Sequence, residues 1–362
     1  MTRLAERQFI SEYWFPIWKV NWRSRLILAL TLVTFVCLLL SGCNRNDSGS
    51  IELVKRVEDE ELGCYVSPNA MVQQEGLAYA TSASDLVILD VSDALNPRCL
   101  STYETEQIVN AVVLAGPYAF LAAEGLIVMD VSDPYNPQEI SRYEIDSVAT
   151  DIKLKGDYAF LTGVGKGLLI FDVSNPERPE LVSQTTFPDA TVESRSVNVT
   201  AIDFVDQYAY VLVEGDYPYF IAILDVSDPT SPRVIRRYVP ESDHNPFDIV
   251  VHGQYAYLNG GLLDIDVVDV SDPLSPHLVG SINTPGQPGQ YVVDGNYIYV
   301  GDSFNISVIE VSNPARPRVV GFYDISSSSD IAKIGDYLYT VGQTWENGES
   351  QPPKLHIFRF TP

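Results

Sequence analysis

A four-residue phrase recurs through this chain and constrains its fold more than any other feature. It first stands at Asp90-Val91-Ser92-Asp93. It returns from Asp130, Asp172, Asp225 and Asp269, with Asn for the last Asp in the third copy, and a degenerate copy begins at Glu310. A period near forty residues, in a chain rich in Val, Ile and Tyr, predicts a β-propeller with one four-stranded blade per repeat. The repeats override the two-domain expectation that 362 residues would otherwise suggest.

The copies have a common internal order, which is plainest in the third. Asp151 to Lys155 alternates apolar and polar residues and predicts the inner strand. Gly156-Asp157 is a turn, and Tyr158 to Leu161 the second strand. Leu168 to Val173 is the third strand. Pro179-Glu180-Leu181-Val182 opens the outer strand, where a leading proline is tolerated at an edge. The second-strand phrase begins at Leu77, Tyr118, Tyr158, Tyr208, Tyr255, Tyr297 and Tyr337, which makes seven blades. The Pro-led outer strand occurs six times, from Pro97, Pro137, Pro179, Pro232, Pro276 and Pro317. Ile51-Glu52-Leu53-Val54-Lys55-Arg56 echoes the outer strand. The expected fold is therefore all-β: a seven-bladed β-propeller over 51–362, its last blade completed by the N-terminal strand. Such closure removes exposed edges.

These phrases resemble the LVIVD-repeat family of bacterial propellers, whose pattern joins Gly-x-Tyr-Ala-Tyr-Val-Ala, Leu-x-Ile-x-Asp-Val-Ser-Asn-Pro and Pro-x-x-Val-Gly. The resemblance spans about residues 70 to 360. It departs from the pattern at Glu310 and Arg359, where Asp is the rule, and in lacking a seventh Pro-led strand. It implies the fold and a place at the cell surface or outside the cell, without implying a ligand.

The N-terminal region reads as a leader. Arg23 and Arg25 precede the apolar run Leu26 to Leu40, which has the length of a signal-peptide core and is short for a spanning helix. It ends in Leu40-Ser41-Gly42-Cys43, which resembles the bacterial lipobox. That resemblance implies a lipoprotein signal peptide over 1–42, with Cys43 the lipidated first residue of the mature protein. Residues 43–50 then form the lipidated cysteine and a flexible polar tether. Asn44 after the cysteine resembles the outer-membrane sorting pattern of diderm bacteria. Cys64 and Cys99 remain in the body, as a disulfide or as two buried thiols.

With 23 Lys and Arg against 48 Asp and Glu, the net charge of −25 argues against nucleic acid and against an electrostatic membrane surface. The four histidines, His244, His252, His277 and His356, show no metal-type spacing. No nucleophile elbow, phosphate loop or dinucleotide fingerprint is present. The repeated Asp-Val-Ser-Asp reads as a turn device, because Asp and Asn accept bonds from backbone groups two residues on. Asp264 and Asp266 alternate with apolar residues and read as a solvated strand face, with a small acidic site as the alternative.

Departures from the repeat point to one face of the ring. Enlarged loops lie at Gln184 to Val199, at Glu214 to Tyr219 with Tyr217 and Tyr219, and at Gly342 to Lys354 with Trp345. Insertions in repeat proteins collect on the binding face. Asp151, Asp248, Gln290 and Asp330 occupy matching inner-strand starts on that face, where they ring the channel mouth or cap backbone groups.

The expected function is a lipid-anchored envelope module, a binding or scaffold protein without a cofactor. It recognises an envelope protein or glycan through one propeller face, touches the membrane through its anchor alone, and is monomeric. The alternative is a hydrolase or lyase with an acidic, Ca²⁺-dependent site at the mouth, Ca²⁺ favouring several carboxylate oxygens.

Overall fold

A computed structural model describes residues 49–66, 69–187, 198–214, 219–240, 246–259, 264–284, 286, 288–302, 305–325, 327–343, 345–346, 349–350 and 354–362. Residues 1–48, where the leader and the lipidated Cys43 are expected, and Tyr217 lie outside these residues. No helix among the described residues is long and apolar enough to cross a membrane.

Seven antiparallel four-stranded sheets form the body. The second strands begin at the seven residues that the repeat marks, Leu77, Tyr118, Tyr158, Tyr208, Tyr255, Tyr297 and Tyr337. Blade 3 runs Ala149–Lys155, Tyr158–Gly163, Gly167–Asp172 and Glu180–Thr185 from the inside out. The innermost strands touch in cyclic order, blade 1 to blade 7 and back to blade 1, so the ring is closed.

Closure is made by the N-terminus. Ser50–Val57 pairs antiparallel with Lys354–Thr361, the third strand of blade 7, in a register that sets Ile51 opposite Phe360 and Val57 opposite Leu355. A one-turn helix, Asp59–Leu62, follows, and Cys64 is then bonded to Cys99 on the outer strand of blade 1, with Cα atoms 5.9 Å apart. Lys55 bonds Glu61 at 2.5 Å and Asn96 at 3.0 Å across the same seam, and the Tyr339 hydroxyl of blade 7 donates to the Ala94 carbonyl of blade 1.

The Asp-Val-Ser-Asp phrase is a turn device. The first carboxylate accepts the N–H of the residue two positions on, Ser92 to Asp90 at 3.0 Å and Ser132 to Asp130 at 2.9 Å. The fourth does the same, Tyr135 to Asp133 at 3.1 Å. Between inner and second strands, the tight turn needs a left-handed residue. Gly156 takes it at φ 58°, where an added Cβ would meet only open space.

The core is a series of separate apolar layers, one between each pair of neighbouring blades. Phe160, Ile170, Val211 and Leu224 fill one such layer, between blades 3 and 4. Both faces of every third strand are therefore covered, and this corrects the reading of Asp264 and Asp266. They do not lie on a solvated face: both are buried, in the third strand of blade 5.

Candidate functional site

The inner strand of each blade is an edge strand. Its second-strand side is paired, and alternate N–H groups on its other side point at the channel without a ladder partner. Buried donors of this kind must be satisfied, and here carboxylates do it. Asp151 accepts from Ile152 at 2.7 Å and, across the blade joint, from Ile202 at 3.1 Å. Asp203 accepts from Phe204 at 2.9 Å and from Val251 of blade 5 at 2.7 Å. Asp330 accepts from Ile331 at 2.8 Å and from the backbone of Met71 in blade 1. Asp248 accepts from Ile249 at 2.8 Å.

A single lysine, Lys153, stands among these acids. Asp151 foremost, then Asp203, Asp248 and Asp330, hold its ammonium well above the ordinary lysine range despite burial. Lys153 and Asp248 are both half-buried, on the innermost strands of blades 3 and 5. Burial pushes the Asp248 carboxyl up to about 6, with Asp151 adding repulsion and Lys153 opposing. Burial likewise raises Asp330 to about 7, against its backbone hydrogen bonds. Asp203 is raised by burial too, with Lys153 and its two N–H donors pulling the other way.

The arrangement is thus a ring of inter-blade clasps with a cation at its centre. Asp151, Asp248 and Asp330 come together in it. Gln290 does not: its side chain is exposed, and the hydroxyl of its neighbour Tyr291 turns into the blade 5–6 layer to donate to the Tyr257 carbonyl at 2.5 Å. Sequence reading missed Lys153 and Asp203. Each occurs in one blade only, one level below the aligned acids, so no repeat signal marks it. Among the described residues no group of three or more His, Cys, Asp or Glu side chains is placed to hold a metal ion. Carboxylate oxygens committed to backbone donors make a poor Ca²⁺ shell.

Tyr219, expected on the partner face, is instead 3% exposed. It packs with Tyr210, Ile221 and Leu258 between blades 4 and 5, because it sits beside a third strand that is covered on both sides. The backbone of Trp345 forms a two-residue bridge to Ser350 within the blade 7 insertion.

What the enlarged-loop face does offer is apolar surface. Ile108, Val148 and Phe247 each lie in a connection from an outer strand to the next inner strand, and they are 64%, 46% and 39% exposed. Around Ile108 and Val148, Glu104, Glu106, Glu124, Glu144 and Asp146 are all exposed. Glu106 and Asp146 hold left-handed backbone at φ 63° and 51°, which sets the two apolar residues in equivalent corners. Of the nearby cations, Arg142 is tied to Glu139 at 2.7 Å and to the Thr105 carbonyl at 3.0 Å, and Lys166, in the blade 3 hairpin beside Val148, is half-buried.

Comparison with known proteins bears on the fold. The LVIVD repeat matches at residues 74–105, 108–145, 147–186, 200–239, 246–284 and 285–325. The structure is similar to the β-propeller domain of Cps50 (Swd1) from Myceliophteria thermophila, with a TM-score of 0.62 and 12% identity over 86% of this chain and 100% of that one. It is also similar to BamB from Moraxella catarrhalis, with a TM-score of 0.53 and 13% identity over 81% and 82%. A chain of a mitotic checkpoint complex gives a TM-score of 0.58 and 11% identity over 87% and 95%. At these identities the likeness is one of fold alone. No curated protein matches in sequence.

Proposed function

The chain belongs to the LVIVD-repeat family, and from that premise we propose that it is a lipid-anchored envelope scaffold that docks a protein partner on its enlarged-loop face. The propeller with LVIVD repeats fits a binding or scaffold module. One observation carries the choice of face: Ile108, Val148 and Phe247 are exposed in equivalent connections, and exposed acids surround the first two. Apolar residues rimmed by polar ones mark interaction surfaces. The acidic rim selects a partner surface that is basic around an apolar centre.

Anchoring rests on the lipobox-like Leu40-Ser41-Gly42-Cys43. The thiol of Cys43 carries the lipid, and the tether lets the ring stand off the membrane, the outer membrane in a diderm cell. Metabolic labelling with a fatty-acid analogue tests this: Cys43→Ser loses the label, and equal labelling of the variant overturns the anchor. The docking face is tested by capture from an envelope fraction with the parent protein and with Ile108→Asp/Val148→Asp. A partner retained equally by both places docking elsewhere.

A further inference from the structure

On the face that carries the Asp-Val-Ser turns, several blade joints are closed by side chains. Tyr210 of blade 4 donates its hydroxyl to the Val270 carbonyl of blade 5 at 3.3 Å, and Tyr339 of blade 7 does the same to Ala94 of blade 1. Gln74 of blade 1 donates to Gly116 of blade 2 at 3.0 Å, and the Lys155 ammonium of blade 3 to Asp206 of blade 4. At the joint between blades 5 and 6, the residue in the Tyr210 and Tyr339 position is Tyr257. The residue in the Gln74 and Lys155 position is His252. Neither side chain makes such a bond. Tyr257 is 2% exposed, and its hydroxyl has no hydrogen-bond partner among the described residues. A groove of about 380 Å³ opens there instead, lined by His252, Gln254, Tyr255 and Tyr257 on one side and by Asn296 and Ser312 on the other.

We infer that this groove between blades 5 and 6 is a binding site for a neutral carbohydrate, a site separate from the docking face proposed above. Its volume falls in the range of small-ligand sites, about 300–1,000 Å³. No carboxylate, ammonium or guanidinium lines it, so neither a cation nor an anion finds a counter-charge, and the net charge of −25 opposes anions further. The polar groups it does present are of both kinds. Two carboxamides and two phenols donate and accept, while the Ser312 hydroxyl spends its proton on Glu310 at 2.8 Å and keeps its lone pairs. Sugar hydroxyls, which also donate and accept, match that set. The Tyr255 ring supplies an apolar surface for the C–H face of a pyranose. The Tyr257 hydroxyl, on an otherwise buried ring, opens on the groove and is free to donate to or accept from a ligand there.

The test is saturation-transfer NMR on the full-length protein with glucose, galactose, N-acetylglucosamine, maltose and cellobiose as probes, and glucuronate as the charged control. The expected result is saturable binding of at least one neutral sugar, weakened roughly tenfold in Tyr257→Phe and in His252→Ala, with glucuronate failing to compete. Tyr257→Phe keeps the buried ring. Should it unfold, the exposed His252→Ala decides alone. Absence of saturable binding by every neutral probe overturns the proposal. So does binding that the folded variants leave unchanged, or that glucuronate matches.

Discussion

The carboxylate of Asp151 holds the N–H of Ile202, a residue of the next blade, at 3.1 Å while its other oxygen holds its own neighbour Ile152 at 2.7 Å. One side chain thereby satisfies two edge donors and spans a joint that Thr150, donating to the Val199 carbonyl at 2.7 Å, and Lys155, donating to Asp206, also cross. Asp203 repeats the device to Val251, and Asp330 repeats it from the last blade to the first. The acids of the channel are part of what keeps the ring round.

Asp151→Ala leaves both donors unpaired and takes from Lys153 the first of its carboxylate partners. The expected loss is roughly 1–3 kcal/mol of unfolding free energy, read from urea melts. It is accompanied by a fall in the Lys153 pKa. A variant as stable as the parent would show that channel water satisfies these groups equally well.

Asp248 carries a pH signature. Its carboxyl is raised to about 6, chiefly by burial, so the folded state disfavours its charge. The sign follows from linkage: its contribution is fully present below the unfolded-state value near 4 and is lost as pH rises through about 6. Asp248→Asn retains an acceptor for Ile249 and carries no charge. It should therefore be more stable than the parent at pH 8 by roughly 1–2 kcal/mol and no more stable at pH 4. A difference that does not change between these pH values would contradict the assignment.

Much of this fold is legible in the sequence because the repeat states it seven times. Each second strand starts where a Tyr or Leu marks it. The Asp-Val-Ser turns use the local bonds that their residue types favour, and the N-terminal strand sits where one outer strand is missing. What occurs once is not legible in this way. Lys153 and Asp203 look like ordinary polar residues of an alternating strand until the ring brings them together. Alternation itself misleads at Asp264 and Asp266, and adjacency to an insertion misleads at Tyr219. A third strand in a propeller is sandwiched between two blades, so period two there separates one joint from the next rather than core from solvent.

The seam between blades 7 and 1 is both paired and covalently stapled. Deleting residues 51–57 uncovers the edge of Lys354–Thr361 and removes Ile51 and Val57 from two apolar layers. The deletion should lower the melting temperature markedly and promote aggregation through the bare edge. Unchanged melting would mean that the ring closes some other way.

Reduction of the Cys64–Cys99 disulfide should destabilise through the same seam. The bond joins residues 35 apart, for which chain entropy gives at most about 3–4 kcal/mol. Calorimetry of the parent and of Cys64→Ser/Cys99→Ser, with and without reductant, measures it. The parent should melt lower in reductant while the double variant does not respond. A parent indifferent to reductant would remove the bond from any account of stability.

The face used for docking is open to a direct contest. If the partner sits on Ile108, Val148 and Phe247, then Ile108→Ser and Val148→Ser should each weaken binding about tenfold, near 1.4 kcal/mol, with no change in melting, since both residues are exposed. Charge complementarity adds a second signature: the association rate should fall as salt is raised, because the exposed acids around these residues steer a basic surface. Trp345→Ala, in the blade 7 insertion on the same face, should also weaken binding. Asp133→Ala, on the opposite face, should cost stability through the lost Tyr135 turn bond and leave affinity intact. Affinities from surface plasmon resonance, taken beside melting curves for all four variants, decide the matter. Normal binding by both serine variants, with loss in a folded Asp133→Ala, would move the partner to the turn face.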